Sequence, residues 1–169
     1  KPVSVGETGS RLFDSEGVAT AETPIIEKGV VKEYFVNTYM SRKMGVEPTI
    51  EDATRPVLLP CVAPSVTCPV AEPVEATCGK AELMRLVGDG ILVTGFNGGN
   101  SNSSTGDFSF GVEGFLFKDG KVVHPVREML ITGNLLTLWN NLLASGNDAR
   151  FCKSKLIPTL AFGNVDFSA

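Results

Sequence analysis

One histidine, one tryptophan and two tyrosines occur in 169 residues, and the four cysteines, Cys61, Cys68, Cys78 and Cys152, never fall at a CxxC spacing. A zinc site normally needs three or four protein donors, so the lone His124 reads as a packed or surface aromatic rather than a base or ligand. The cysteine spacings fit neither a metal knuckle nor a thioredoxin-type pair. They read as reduced, partly buried thiols, with a Cys61–Cys68 or Cys68–Cys78 bridge reserved for an oxidising compartment. No apolar run approaches the ~20 residues of a bilayer span and no secretory leader stands at the front, so the expectation is a soluble, cytoplasmic chain with no membrane partner. Lys and Arg are scattered in a chain of net charge −4 and pI near 5.0, which argues against direct nucleic-acid contact. An initiator Met is also lacking, as in a fragment whose front half has been removed.

What is present is 43% apolar residues, enough over this length to bury a core without disulfides, and residues 1–169 are expected to form a single domain. Gly90–Val126 reads as strand, long small-residue loop, strand, tight turn, strand. Ile91, Val93 and Phe96 belong to the first strand, and Asn97–Asp107 is nearly all Gly, Asn, Ser, Thr and Asp, residues that favour turns. Phe108–Lys118 resumes as a strand closed by Asp119-Gly120, a strong hairpin signal. Phe108, Phe110 and Val112 share one parity and Phe115 and Phe117 the other, which predicts a β-bulge or bend at Gly114. Val122–Val126 and Glu128–Thr132 continue the sheet, with Pro125 at an edge or bend.

Two segments have helical spacing. Lys80–Val87 places Ala81, Leu83, Met84 and Val87 on one face. Leu135–Ala144 places Leu135, Leu138, Trp139, Leu142 and Leu143 at i, i+3, i+4, i+7 and i+8, with Asn134 as N-cap and Gly146 as stop, and is expected to plug the core. Earlier, Glu22–Glu27 and Val30–Asn37 form a hairpin about Lys28-Gly29, and Thr38 caps a short helix, Tyr39–Met44, ended by Gly45. Val57–Leu59 is a short strand between prolines, and Ala63–Gly79 an extended, proline-bearing loop. Asn147–Cys152, Leu156–Phe162 and Val165–Phe167 supply the last strands, the final pair turning at Gly163-Asn164.

Candidate chemistry is sparse. Asp14 and Glu16 beside Gly17 admit two readings: paired acids for proton transfer or metal binding, or an Asp that holds local backbone while Gly17 takes a positive-φ turn. Tyr39, Met40 and Arg42 or Lys43 either line a cleft or pack a strand-to-helix corner.

GDGILVTGFNGGNSNSSTGDFSFGVEGFLFKDGKVVHPV followed by EMLITGNLLTLWNNLLASGND resembles the carboxy-terminal half of the TldD/PmbA family, named modulators of DNA gyrase and regarded as metallopeptidases. Ser10–Gly45 is similar to the family's DxEG-containing segment and Ile157–Ala169 to its terminal pair of strands. Ala63–Gly79 has no counterpart. Periodicity alone shows strands, hairpins and helices. The resemblance implies the rest of the fold class: mainly β (α+β), with a strongly bent or barrel-like antiparallel sheet and two or three helices, the carboxy-terminal domain of a longer protein whose amino-terminal domain is absent from this chain.

In the TldD-like branch the metal is taken to be held by an HExxxH helix in the amino-terminal domain plus a Cys near the carboxyl end. Here there is no HExxxH, and only Lys153–Ile157, without a Gly run, separates Cys152 from Pro158-Thr159. That departure favours a PmbA-like (TldE-like) subunit. The resemblance then implies a non-catalytic domain of a heterodimeric metallopeptidase that degrades or processes unfolded peptides. No catalytic residue, metal ligand or cofactor would lie in this chain, and zinc would lie in the TldD-like partner. Two alternatives stay open: a zinc metallopeptidase chain in which Cys152 completes the metal site, and a peptide-binding or gyrase-associated scaffold without proteolysis.

For the peptide the resemblance implies an added strand near the Asn97–Asp107 segment. Gly98, Gly99, Gly106 and Gly111 would permit close backbone approach, and Asn100, Ser103, Thr105 and Asp107 would offer hydrogen bonds. The competing reading of the same residues is a flexible connection in which Asp107 caps a turn.

Overall fold

Three long strands organise the larger part of the structure, a computed structural model that describes residues 6–59 and 79–168. They are β3 (Gly90–Ser101), β4 (Asp107–Lys118) and β5 (Lys121–Asn134), and with β8 (Phe167–Ser168) they form an antiparallel sheet in the order β3-β4-β5-β8. β4 and β5 join through Asp119-Gly120, whose positive φ values of 48° and 69° match the twist of the strands they connect.

β4 is the central strand and supplies the rings. Phe108 packs over Gly133 of β5, Phe117 over Gly90 of β3, and Phe110 stands across from Gly99, positions where a β-carbon would meet the ring. Val112, only 1% exposed, is the most buried large side chain of the sheet. The outer strands carry extra residues: Phe96 to Gly99 spans three steps of β3 against two of β4 from Val112 to Phe110, and Met129 to Val126 spans three steps of β5 against two from Val112 to Gly114. Outer strands longer than the inner one bend a sheet. The irregularity expected at Gly114 is present, but the added residues sit on its neighbours, Thr94 of β3 and one residue of β5 between Val126 and Met129. Gly114 itself lacks a side chain because the Leu92 carbonyl of β3 lies where its β-carbon would be.

This sheet is open, and no closed barrel forms among the described residues. A second, two-stranded sheet pairs β6 (Leu142–Ser145) with β7 (Leu160–Phe162). Against it packs helix α2 (Lys80–Val87), where Leu83 meets Ala144 and Ala161, all three buried, with Leu86, Val87 and Leu143 around them. The Glu82 carboxylate accepts the Gly79 N–H and so caps α2. Asp148 accepts from the backbone N–H and the hydroxyl of Thr159, both at 2.7 Å. Burial pushes the Asp148 carboxyl up, but these bonds and nearby Lys80 outweigh it and hold the group below its ordinary value.

The helix expected over Leu135–Ala144 is shorter. α3 covers Leu135–Asn140, Asn141 caps it, and Leu142 onward becomes β6 because it finds a ladder partner in β7. Nor does α3 plug the core: none of its residues is buried and Leu136 is 73% exposed. No strand forms over Asn147–Cys152, and the Gly163-Asn164 turn separates strands that pair with different neighbours.

The chain divides into two units, and the elements above belong to the one formed by Leu59–Asp148 and Pro158–Ala169. The other, Lys1–Leu58 with Ala149–Ile157, is built mainly from turns. β1 (Ile26–Glu27) and β2 (Val30–Val31) form a hairpin about Lys28-Gly29, much shorter than the expected strands. α1 (Thr38–Met44) is capped by Asn37 rather than Thr38, the Asn37 side chain accepting from Met40 N at 2.9 Å, and Gly45 ends it with φ 70°. Val57 makes only an isolated bridge to Leu156. Arg55 is buried, paired with Glu7 and donating to Phe151 O at 3.1 Å.

Asp14 resolves its two readings. Its carboxylate accepts from Val18 N (2.9 Å), Glu16 N (3.0 Å) and Glu51 N (3.1 Å), while Gly17 turns with φ 83°. Burial pushes this carboxyl up as well, yet the three N–H groups and nearby Arg11 hold it below the usual range. Glu16 in turn accepts from Thr38 N at 2.7 Å. The acids organise backbone. Tyr39 and Met40 are exposed on α1, and the cleft near it, about 180 Å³, is lined instead by residues such as Ala21, Ile25, Tyr34, Phe35 and Ile50. Cys61, Cys68, Cys78 and the loop expected from Ala63 lie outside the described residues, apart from Gly79.

Candidate functional site

The segment Asn97–Asp107 is not one long loop. β3 continues through Ser101, so Gly98, Gly99 and Asn100 are strand residues, and only Asn102–Gly106 turns. The ladder holds here because Gly99, at φ 137°, admits the Ser109 carbonyl and Phe110 where any other residue would place a side chain.

The turn is a closed polar corner. Asn102 Oδ1 accepts from Ser104 N at 2.9 Å, and Asn102 O from Gly106 N at 2.7 Å. Thr105 Oγ1 donates to Asp107 Oδ2 at 2.7 Å. From the far end of β5, Asn134 Nδ2 donates to Thr105 O and to Asp107 Oδ1, both at 2.9 Å, while its Oδ1 accepts Leu136 N at 3.0 Å and caps α3. Hydrogen bonds from Asn134, then Thr105, hold the Asp107 carboxyl below its ordinary value against a smaller opposing effect of burial.

Of the residues expected to meet a ligand, Thr105, Gly106 and Asp107 are therefore drawn together, with Asn102 and Asn134, into a joint between the β3–β4 turn and α3. Gly98, Asn100 and Ser103 remain exposed. Asn134 was legible as a cap, but its second role was not. The available signal is chemical: an Asn at an N-cap uses one oxygen and keeps two amide hydrogens to donate.

Sheet edges differ sharply. β4 is paired on both sides, so the strand following the turn has no free edge to accept another. β5 meets β8 only at Leu130 and Ile131. Its remaining outer edge carries Lys121, Pro125 and Arg127, with a kink at Glu128, φ 58°. Proline, charge and kinks are the devices that blunt an edge against pairing. β3 has none of the first two: its twelve residues, GILVTGFNGGNS, contain no charge and no proline, and its outer side pairs with no described strand. Phe96 stands 67% exposed on it, its ring edge-on to Phe110 at 5.8 Å.

The fold and this edge define an α+β, mainly β domain in which the outer side of β3 pairs with no described strand. The family model for the PmbA/TldA metallopeptidase C-terminal domain matches residues 1–169. A metalloprotease PmbA homolog from Haemophilus influenzae is 33% identical over 148 residues, covering 88% of this chain and 30% of that protein. A TldD homolog from Buchnera aphidicola is 28% identical over 151 residues, covering 85% and 29%. The crystal structure of a candidate modulator of DNA gyrase from Bacteroides thetaiotaomicron superposes with TM-score 0.83 at 48% identity, covering 99% of this chain and 35% of that one. The chain belongs to the PmbA/TldD family, matches the model of its C-terminal domain, and spans about a third of the length of these relatives.

A metallopeptidase family implies a metal. Among the described residues no three His, Cys, Asp or Glu side chains converge as ligands would. Cys152 is free and exposed, and His124 Nδ1 donates to the neighbouring Pro125 carbonyl at 3.0 Å. The described donors do not fit a resident ion. Nor is any described helix long and apolar enough to cross a membrane.

Proposed function

We propose that this chain is the peptide-presenting, non-catalytic domain of a PmbA-like subunit, which works in a cytoplasmic heterodimer with a TldD-like subunit that holds the zinc and cleaves unfolded peptides. The observation that carries this reading is the β3 edge: twelve uncharged, proline-free residues with an unpaired outer side among the described residues. An extended peptide added there gains main-chain hydrogen bonds independently of its sequence, which suits a substrate defined by being unfolded. Gly98 and Gly99 thin the edge where the peptide would pass. The higher identity to PmbA homologs than to TldD homologs, 33% against 28%, supports the subunit assignment.

The test is cleavage of an unfolded peptide by the full chain paired with a TldD-like subunit, read with and without a chelator. Asn100→Lys and Ser101→Lys, which blunt the β3 edge, should slow cleavage while the pair still forms. Undiminished cleavage by both variants removes β3 from the path of the peptide. An HExxxH in the polypeptide that carries this chain would overturn the non-catalytic assignment.

A further inference from the structure

We infer that the β3 edge selects side chains as well as backbone: it takes an extended segment with a basic residue next to a large apolar one, and Glu113 reads the basic residue. This deepens the strand-addition reading and rests on it.

Glu113 of β4 lies directly across from Gly95 of β3. Its carboxylate folds over Gly95, so closely that a β-carbon there would sit 2.7 Å from Oε1. Gly95 thus lets an acidic side chain of the inner strand reach over the edge strand. Glu113 is exposed and makes no side-chain hydrogen bond or ion pair with any described residue. β3 itself contributes no charge, so the charge that reaches over Gly95 at that point on the edge comes from β4.

The next residue faces the opposite way, because successive side chains of a strand alternate. Phe96 pairs with Val112 and stands against Phe110 on that second face, two-thirds exposed. Residues of an added strand directly opposite Gly95 and Phe96 would share their faces. One would meet the Glu113 carboxylate, which attracts Lys or Arg and repels Asp or Glu. Its neighbour would cover the Phe96 ring. The occupant this pair of faces fits is an unfolded segment with adjacent basic and bulky apolar residues, charge complementarity fixing the first and exposed aromatic area the second.

The experiment measures binding of labelled Ser/Thr-rich peptides that carry a central Lys-Leu, Glu-Leu or Lys-Ser pair to the full chain, with hydrogen exchange of the β3 amides followed in parallel. Exchange of an attractive for a repulsive partially screened pair predicts roughly fivefold tighter binding of Lys-Leu than of Glu-Leu. Glu113→Gln should collapse that ratio and Glu113→Lys should invert it, while Phe96→Ser should erase the advantage of Lys-Leu over Lys-Ser. Equal binding of all three peptides with β3 amides protected refutes the side-chain selection and leaves strand addition standing. No binding, with β3 exchange unchanged, refutes strand addition and the selection with it.

Discussion

Asn134→Ala should loosen two elements at once. Asn134 Nδ2 donates to Thr105 O at 2.9 Å, and its Oδ1 accepts Leu136 N at 3.0 Å as the cap of α3. Losing an Asn N-cap costs about 1 kcal/mol, and losing the neutral hydrogen bond to the Thr105 carbonyl up to another ~1 kcal/mol. The sum, up to about 2 kcal/mol, lowers the melting temperature of a chain of this size by as much as roughly 4–8 °C. Thermal unfolding followed by circular dichroism measures the shift, and hydrogen exchange at Gly106 and Leu136 locates it. Asn134→Asp separates the two roles: it keeps the cap oxygen, loses both donations and faces Asp107 with a second carboxylate, so its deficit should shrink as the pH falls. An Asn134→Ala protein that melts with the wild type, and exchanges no faster at those amides, would refute the account of the corner.

Other outcomes follow from the same geometry. Asp14, Asp107 and Asp148 all have carboxyl pKa values below the ordinary one; such groups add stability that is full above the unfolded value of about 3.9 and is lost as the pH falls through the folded one. Denaturant midpoints should therefore hold at neutral pH and drop below about pH 4, more steeply than in Asp14→Asn or Asp148→Asn proteins. Leu83→Ala should cost about 2–5 kcal/mol in urea unfolding, whereas Leu136→Ser on the exposed side of α3 should stay within roughly 0.5 kcal/mol; comparable losses would mean that α3 is packed after all. Gly114→Ala should destabilise by about 1–3 kcal/mol as β3 moves away from the new methyl group, with faster exchange of the β3–β4 ladder. Gly106→Val, at φ 82° and against the Asn134 amide, should reduce stability along with any peptide handling.

Local chemistry carried the parts of the fold that depend on neighbours in sequence. Asp119-Gly120 and Lys28-Gly29 announce their turns because few residues accept positive φ, and Asn134 announces a helix start because its oxygen can replace a missing carbonyl. Asn97–Ser101 misled for the opposite reason. Its composition suits a loop, and it remains a strand only because Phe110 and Ser109 occupy the space Gly99 leaves open, a fact of the opposing strand. The apolar spacing of Leu135–Leu143 likewise continues past Asn141, where pairing of Leu142–Ser145 with Leu160–Phe162 overrides helical propensity. Of the candidate site, the glycines signalled close backbone approach, which Gly99 makes toward Ser109 and Phe110 of β4, while the bonds that tie Thr105 and Asp107 to each other and to Asn134 depend on a residue far along the chain. Glu113 gave no signal in sequence beyond standing at a change of parity.

Phe108, Phe110 and Phe117 of β4 rest on glycines in the neighbouring strands. Because those glycines are few and unevenly spaced, the rings act as a ratchet against misalignment. Sliding β5 by two residues would keep every side chain on its proper face, yet could set Phe108 against Ile131 in place of Gly133, with no room for both. The alignment that folds is the one in which each ring finds its gap, and the same alignment leaves β3 outermost.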